Sequence, residues 1–137
     1  MAQSFATLQA MHDERVILGM STGEAMKQTP LGHNWPEYSF RRNLLEGTLD
    51  IIHLLWESDG FVDYDSRHSE LDGARLYTKP DELPEIHIAA NGPSTASLTS
   101  EYGDRCITIK TGEETPIASI PQYDGTLKKR VCNQYTE

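Results

Sequence analysis

The chain reads as an α/β protein built on parallel strands, and two observations predict this. Apolar runs bounded by turn residues lie at Arg15 to Met20, Pro84 to Ala90 and Asp104 to Ile109. Runs of roughly four to eight such residues suit strands buried in a sheet. Segments with helical spacing separate these runs. The resulting order of helix, strand, helix, strand, helix, strand implies parallel strands joined by crossovers.

Each element has its own signal. Residues 2–12 read as the end of a helix, with Phe5, Leu8 and His12 on one side and Ala6 and Ala10 nearby. The first strand ends at Gly19, and the small-residue turn Ser21-Thr22-Gly23 then delivers Glu24. Glycines at such a corner let the backbone approach a ligand without a Cβ in the way. Pro30, Gly32, Asn34 and Pro36 make the next stretch a loop with no regular structure. Pro36 and Glu37 open the strongest helix, whose apolar positions Leu45, Leu49, Ile52 and Trp56 step by four, three and four. Leu44, Ile51 and Leu55 widen that stripe, while Arg41, Arg42, Glu46 and Asp50 cover the outer face. Core packing is the role this pattern assigns.

After Gly60, Phe61 to Tyr64 and Ala74 to Tyr77 are short extended pieces with Asp65, Ser66, Asp72 and Gly73 between them, which predicts a hairpin-like excursion. The second long strand leaves through Asn91-Gly92-Pro93, and Ser94 or Thr95 is placed to cap a helix reaching about Tyr102. Beyond Gly112, Pro116 and Pro121 interrupt any period, and Asp124 to Glu137 show no amphipathic pattern. The expected organisation is one domain over residues 1–112 and a divergent, loosely held tail over 113–137.

Composition narrows the function. At 137 residues, 37% hydrophobic and 24% charged, the chain can bury one real core. No apolar run approaches the roughly 18 residues of a membrane span. The N-terminal residues carry no signal-peptide pattern, so a cytoplasmic location is the default. Cys106 and Cys132 make neither a disulfide framework nor a zinc site, and Cys106, inside a strand, reads as a small core residue. The net charge of −9 argues against nucleic acid and anionic membranes as partners. The acidic surplus fits either adaptation to high salt or an ordinary solvated surface. His12, His33, His53, His68 and His87 are scattered without metal-ligand spacing and read as structural or surface groups. Asp63, Asp65, Glu70 and Asp72 match no calcium loop and read as a solvated acidic excursion.

Several motifs occur in a definite order: Arg15-Val-Ile-Leu-Gly-Met-Ser-Thr-Gly-Glu-Ala-Met26, Trp35-Pro-Glu-Tyr38 and Arg41-Arg-Asn-Leu-Leu-Glu46. They continue with Ile51-Ile-His-Leu-Leu-Trp56, Gly73-Ala-Arg-Leu-Tyr77, Ile86-His-Ile-Ala-Ala-Asn-Gly-Pro93 and Tyr102-Gly-Asp104. Over residues 2–112 this text resembles the luciferase-like superfamily, and within it the coenzyme F420-dependent oxidoreductases of the glucose-6-phosphate dehydrogenase type. The resemblance implies a (β/α)8 TIM barrel, a fold of about 250 residues. The fold class expected here is therefore a partial barrel: about three parallel strand–helix units with a hairpin excursion. A gene fragment, a frameshifted product or one part of a split protein would account for the length. An isolated barrel segment leaves strand edges unpaired, which invites association. Two partner arrangements stay open, a homo-oligomer and a complementing chain.

The resemblance also assigns roles. Barrel enzymes work at the carboxyl ends of their strands. Thr22 and Gly23 would contact the deazaflavin there, and Glu24 would be the acid that protonates its ring. Such an acid needs a raised pKa, which burial beside an apolar ring system would supply. Without the resemblance, Glu24 reads as a helix-start glutamate favoured by the macrodipole. Lys27 stands where the family usually has asparagine, and could pair with a coenzyme phosphate or lie in solvent. The Asn91-Gly92-Pro93-Ser94-Thr95 loop is used for the coenzyme in the family, normally with two glycines, and Asn91 replaces the first. Helix-start amides with Gly92, Ser94 and Thr95 beside them make an anion site, or simply an ordinary capped helix. Ile109 and Gly112 occupy the positions of the threonine and lysine that hold a sugar phosphate, so a different alcohol or sugar is expected as substrate.

The implied activity is hydride transfer between a small organic substrate and coenzyme F420. Two alternatives remain: an FMN-dependent luciferase-like monooxygenase, and a non-catalytic remnant or partner subunit. The family's catalytic histidine and its later basic residues have no counterpart in this stretch. The isolated chain is therefore expected to be inactive, with Glu24 as its catalytic residue.

Overall fold

The computed structural model describes residues 1–12, 15–32, 34–108 and 133–134. The chain divides into two compact units, one formed by residues 1–18 with 23–84 and the other by 19–22 with 85 onward.

The first unit is organised by α1 (Ala2–Met11) and α3 (Tyr38–Glu57). The buried residues of α3 are Leu45, Leu49, Ile52 and Trp56, the set that the four-three-four spacing predicts. Burying each contributes about 1.5–3 kcal/mol. The widening of the stripe is only partial, because Leu44 remains exposed. In α1 the buried positions are Ala2, Ala6 and Gln9, while Leu8 is exposed, so the packed face differs from the expected one. Small residues let two helices approach closely. The Gln9 side-chain oxygen also accepts a hydrogen bond from the Val16 amide at 3.2 Å, which satisfies the buried amide.

Three sequence expectations for this unit require correction. The first strand is shorter than predicted: β1 spans Ile17–Met20. The proline-bearing stretch after Glu24 is not wholly irregular, for Ala25–Gln28 form a short helix, α2, and Thr29–Leu31 a 3-10 turn. Pro30 is accommodated in the first turn of that piece, where a missing N–H is harmless. The second hairpin strand lies earlier than predicted: β2 (Val62–Asp65) pairs antiparallel with β3 (Glu70–Ala74). Asp72 and Gly73, read as turn residues, instead form an irregularity within the ladder. Val62 opposes Ala74 and Tyr64 opposes Leu71, so one residue faces two. Gly73 adopts φ +55, and its amide donates to Asp63 Oδ1 at 2.7 Å. A glycine in the left-handed region is a known bulge device, and it reads the same as a turn signal in sequence.

In the second unit, β1 (through Gly19 and Met20), β4 (Glu85–Ala89), β5 (Arg105–Thr108) and β6 (Asn133–Gln134) form a sheet in the order β1-β4-β5-β6. β4 and β5 are parallel, with His87 opposite Arg105 and Ile88 opposite Cys106, and α4 (Pro93–Tyr102) connects them. This is the predicted crossover unit. Ala90, Ala96 and Cys106 cluster in its core, as expected for Cys106. Gly103 is required where helix meets strand: a Cβ there would lie 3.1 Å from both Ile88 Cδ1 and the Thr99 carbonyl oxygen. The Asp104 carboxylate accepts from the Ile86 amide at 2.8 Å while the Asp104 amide donates to the Ile86 carbonyl at 2.7 Å, clamping the start of β5 to β4.

The tail expected over 113–137 lies outside the described residues, as do Ile109, Gly112, His33 and Cys132, apart from Asn133–Gln134. That pair runs parallel to β5, a strand the sequence did not announce.

Candidate functional site

Glu24, the candidate acid, follows β1 through the turn at Ser21–Gly23. Gly23 adopts φ +80, a conformation that strains any residue with a Cβ. A Cβ at that position would also lie 2.6 Å from the Gln28 amide nitrogen Nε2 and 3.6 Å from Trp35 Cη2. Glycine is thus the residue this corner demands. Glu24 then takes the N-cap position of α2 in an extended conformation, and its carbonyl accepts from the amides of Lys27 and Gln28 at 3.1 and 3.2 Å.

The carboxylate itself is not buried. Its side chain is 59% exposed, and Oε2 lies 3.1 Å from Lys27 Nζ. Protein atoms of this unit therefore do not provide the burial that the sequence argument invoked; a bound ring system would have to supply it. Lys27 is neither simply in solvent nor held apart: it is paired with Glu24. No residue of α2 or of the 3-10 turn is buried. Next to this segment, Arg41 stacks its guanidinium 4.0 Å from the Trp35 ring centroid and donates through Nε to the Pro36 carbonyl at 3.1 Å.

In the second unit, Thr22 continues from β1, which neighbours β4 in the sheet. The loop Asn91–Thr95 follows β4. Gly92 is the N-cap of α4, and neither Ser94 nor Thr95 caps it, a correction to the sequence expectation. Both lie inside the first turn behind Pro93, with Asn91 and Ser94 exposed and Thr95 buried. The helix starts on backbone alone, with the Ala96 amide donating to the Gly92 carbonyl at 3.0 Å. No acidic residue occupies the first turn of α4, so no carboxylate of that turn offsets the partial positive charge there. Among the described residues nothing lies within 4 Å of where a Gly92 Cβ would be. An anion could approach there without collision.

A charged group lies elsewhere on β4 and β5. His87 Nε2 and Arg105 Nε each lie 2.9 Å from Glu85 Oε2. Strand alternation places this trio on the sheet face opposite Ile86 and Ile88. Among the described residues no His, Cys, Asp or Glu cluster could hold a metal. No described helix is long and apolar enough to cross a membrane.

Comparison with known proteins decides the family. The model of the luciferase-like monooxygenase family matches residues 1–130. This chain belongs to the luciferase-like monooxygenase family. The match extends past residue 112, where the sequence reading placed the end of the resemblance. Among curated luciferase-like relatives, the F420-dependent glucose-6-phosphate dehydrogenase of Nakamurella multipartita is 36% identical over 107 residues, covering 78% of this chain and 31% of the relative. The enzyme of the same name from Mycobacterium tuberculosis is 38% identical over 116 residues, covering 82% and 34%.

Of solved structures, an F420-dependent secondary alcohol dehydrogenase in complex with an F420–acetone adduct superposes with a TM-score of 0.78 at 34% identity, over 85% of this chain and 37% of that one. A coenzyme F420-dependent tetrahydromethanopterin reductase from Methanopyrus kandleri shares the fold, with a TM-score of 0.64 at 17% identity over 78% and 34%. The parallel sheet and crossover helix of this chain are thus part of a luciferase-like TIM barrel. The chain spans about a third of the length of these relatives.

The structure brings Glu24 and Lys27 together within the first unit and gathers Thr22, Asn91, Gly92, Ser94 and Thr95 into the second. Sequence reasoning missed the stacking of Arg41 on Trp35, having placed Arg41 on a solvated helix face. A signal was available: Arg41 sits near the start of its helix, where a positive charge opposes the macrodipole and needs another reason to be there.

Proposed function

We propose that this luciferase-like chain forms part of a coenzyme F420-dependent oxidoreductase that moves a hydride between the deazaflavin and a small alcohol- or sugar-type substrate. The observation that carries this reading is the likeness, at 34% identity and a TM-score of 0.78, to an alcohol dehydrogenase bound to an F420 adduct. Two curated relatives, each more than a third identical, also carry F420 in their names. They favour F420 over FMN, the other cofactor the sequence left open.

The residues of the chain fit such a coenzyme. The start of α4 has the polarity an anionic group needs, and Gly92 leaves it space. Asn91, Gly92, Ser94 and Thr95 would hold a phosphate by backbone amides and hydroxyls. Thr22 and Gly23 would present backbone to the ring. When bound, the deazaflavin supplies the two-electron chemistry. Glu24 manages a proton through its exposed carboxyl group, which lies 3.1 Å from the Lys27 ammonium. Burial under the ligand would then favour the protonated acid. Positioned general acids contribute about 10²–10⁴-fold to rate.

Since the chain spans about a third of its relatives, turnover is assigned to the whole enzyme, and this stretch contributes coenzyme contacts without turnover by itself. The test is titration of the purified chain with F420, monitored by deazaflavin fluorescence. Saturable binding is expected, and Gly92→Asp should abolish it by placing a carboxylate at the helix start. Absence of binding by the native chain, or tighter binding of FMN, would overturn the reading.

A further inference from the structure

We propose that Trp35 and Arg41 form a positioning pair that fixes the Gly23–Glu24 corner. The Trp35 ring forms one wall of the turn, since its Cη2 lies 3.6 Å from where a Gly23 Cβ would be. Arg41 holds that ring. Its guanidinium carbon is 4.0 Å from the indole centroid and 5.6 Å from the Tyr38 ring, and its Nε bonds the Pro36 carbonyl at 3.1 Å. Indole and guanidinium are thus tied to the first turn of α3, an element anchored by its own buried stripe.

The corner needs such an anchor. Residues 25–31 include no buried side chain, so the segment that follows Glu24 has no grip on the core. The Glu24–Lys27 pair is 59% and 77% exposed and fixes little by itself. A cation–π contact of this kind is geometrically specific. It transmits the position of α3 through Trp35 to Gly23, and so to the neighbouring carboxyl group. Trp35 and Arg41 touch neither proton nor hydride in this scheme; they set where Glu24 stands.

The test uses the full chain and two readouts. The first is the NMR ring-current shift of the Gly23 α-protons, which requires no coenzyme. Trp35→Leu should abolish it, and Arg41→Gln should reduce it by about half as the ring loosens. Arg41→Lys should retain more of it than Arg41→Gln, and amide shifts of Leu49 and Ile52 should stay in place in every variant. An unchanged Gly23 shift in Arg41→Gln, or displacement of the whole α3 spectrum, would overturn the proposal.

The second readout is F420 affinity, which rests on the function proposed above. Arg41→Gln should weaken it by about two- to fivefold, the factor a cation–π contact is worth. If the native chain binds no F420, the functional reading fails while the Gly23 shift still decides the positioning claim. If it binds F420 and Arg41→Gln binds equally well, the positioning claim fails alone.

Discussion

Trp56 donates its indole hydrogen to the carbonyl oxygen of Ala2 at 3.2 Å, joining positions 54 residues apart. The bond ties the last turn of α3 to the first residue of α1. Trp56 is 2% exposed and Ala2 6%, so the contact is shielded from water. It explains how α1, with only small or polar buried residues, is kept in place.

Trp56→Phe should therefore lower unfolding free energy by about 1–2 kcal/mol, combining a lost hydrogen bond with a small void. Trp56→Ala should cost about 3–5 kcal/mol. Urea denaturation followed by far-UV circular dichroism measures both. Equal stability of Trp56→Phe and the native chain would show that the indole bond contributes nothing.

Tyr64 gives a pH-dependent term. Its phenol donates to Asp50 Oδ2 at 2.9 Å, linking the hairpin to α3. Burial and then this bond raise the Tyr64 pKa above its ordinary value of 10.0. A group held protonated by the fold stabilises fully below its unfolded pKa and stops doing so as pH rises through the folded value. The native chain should accordingly lose stability above about pH 10 more steeply than Tyr64→Phe. The same variant should be weaker by about 1 kcal/mol at neutral pH. Urea midpoints at neutral and alkaline pH give the comparison.

Two glycines in the second unit should behave oppositely. Gly103→Ala places a methyl 3.1 Å from Ile88 Cδ1 and from the Thr99 carbonyl oxygen, so a loss of about 1–3 kcal/mol is expected. Gly92 has φ −158, extended backbone that any residue adopts, and no described atom lies within 4 Å of where a Cβ would go. Gly92→Ala should change stability by no more than about 0.5 kcal/mol. Thermal melts of the two variants side by side provide the check, and a destabilised Gly92→Ala would contradict the geometry.

Asp104 separates acceptor from charge. Its carboxylate accepts from the Ile86 amide at 2.8 Å. Asp104→Asn keeps an acceptor oxygen and should cost less than about 1 kcal/mol, whereas Asp104→Ala strands the donor and should cost about 1–3 kcal/mol. Faster amide exchange at Ile86 in the alanine variant alone would identify the bond as the cause.

What could be read from sequence follows from where each kind of information resides. The spacing of Leu45, Leu49, Ile52 and Trp56 specifies a buried face because helix geometry turns local spacing into direction. The run through Ile86 and Ile88 announces a buried strand in the same way. The ordered motifs sufficed for the family.

Tertiary structure alone decided the rest. Gly73 signals a turn or a bulge equally well until a partner strand fixes the register. Whether Ser94, Thr95 or Gly92 caps α4 depends on where Pro93 falls in the first turn. Arg41 found Trp35, and Glu85 drew Arg105 from the neighbouring strand. Each of these polar contacts is set by side-chain reach and by the path of the intervening chain. Hydrophobic periodicity is written into successive residues, whereas the pairing of charges exists only once the backbone has brought them within a few ångströms.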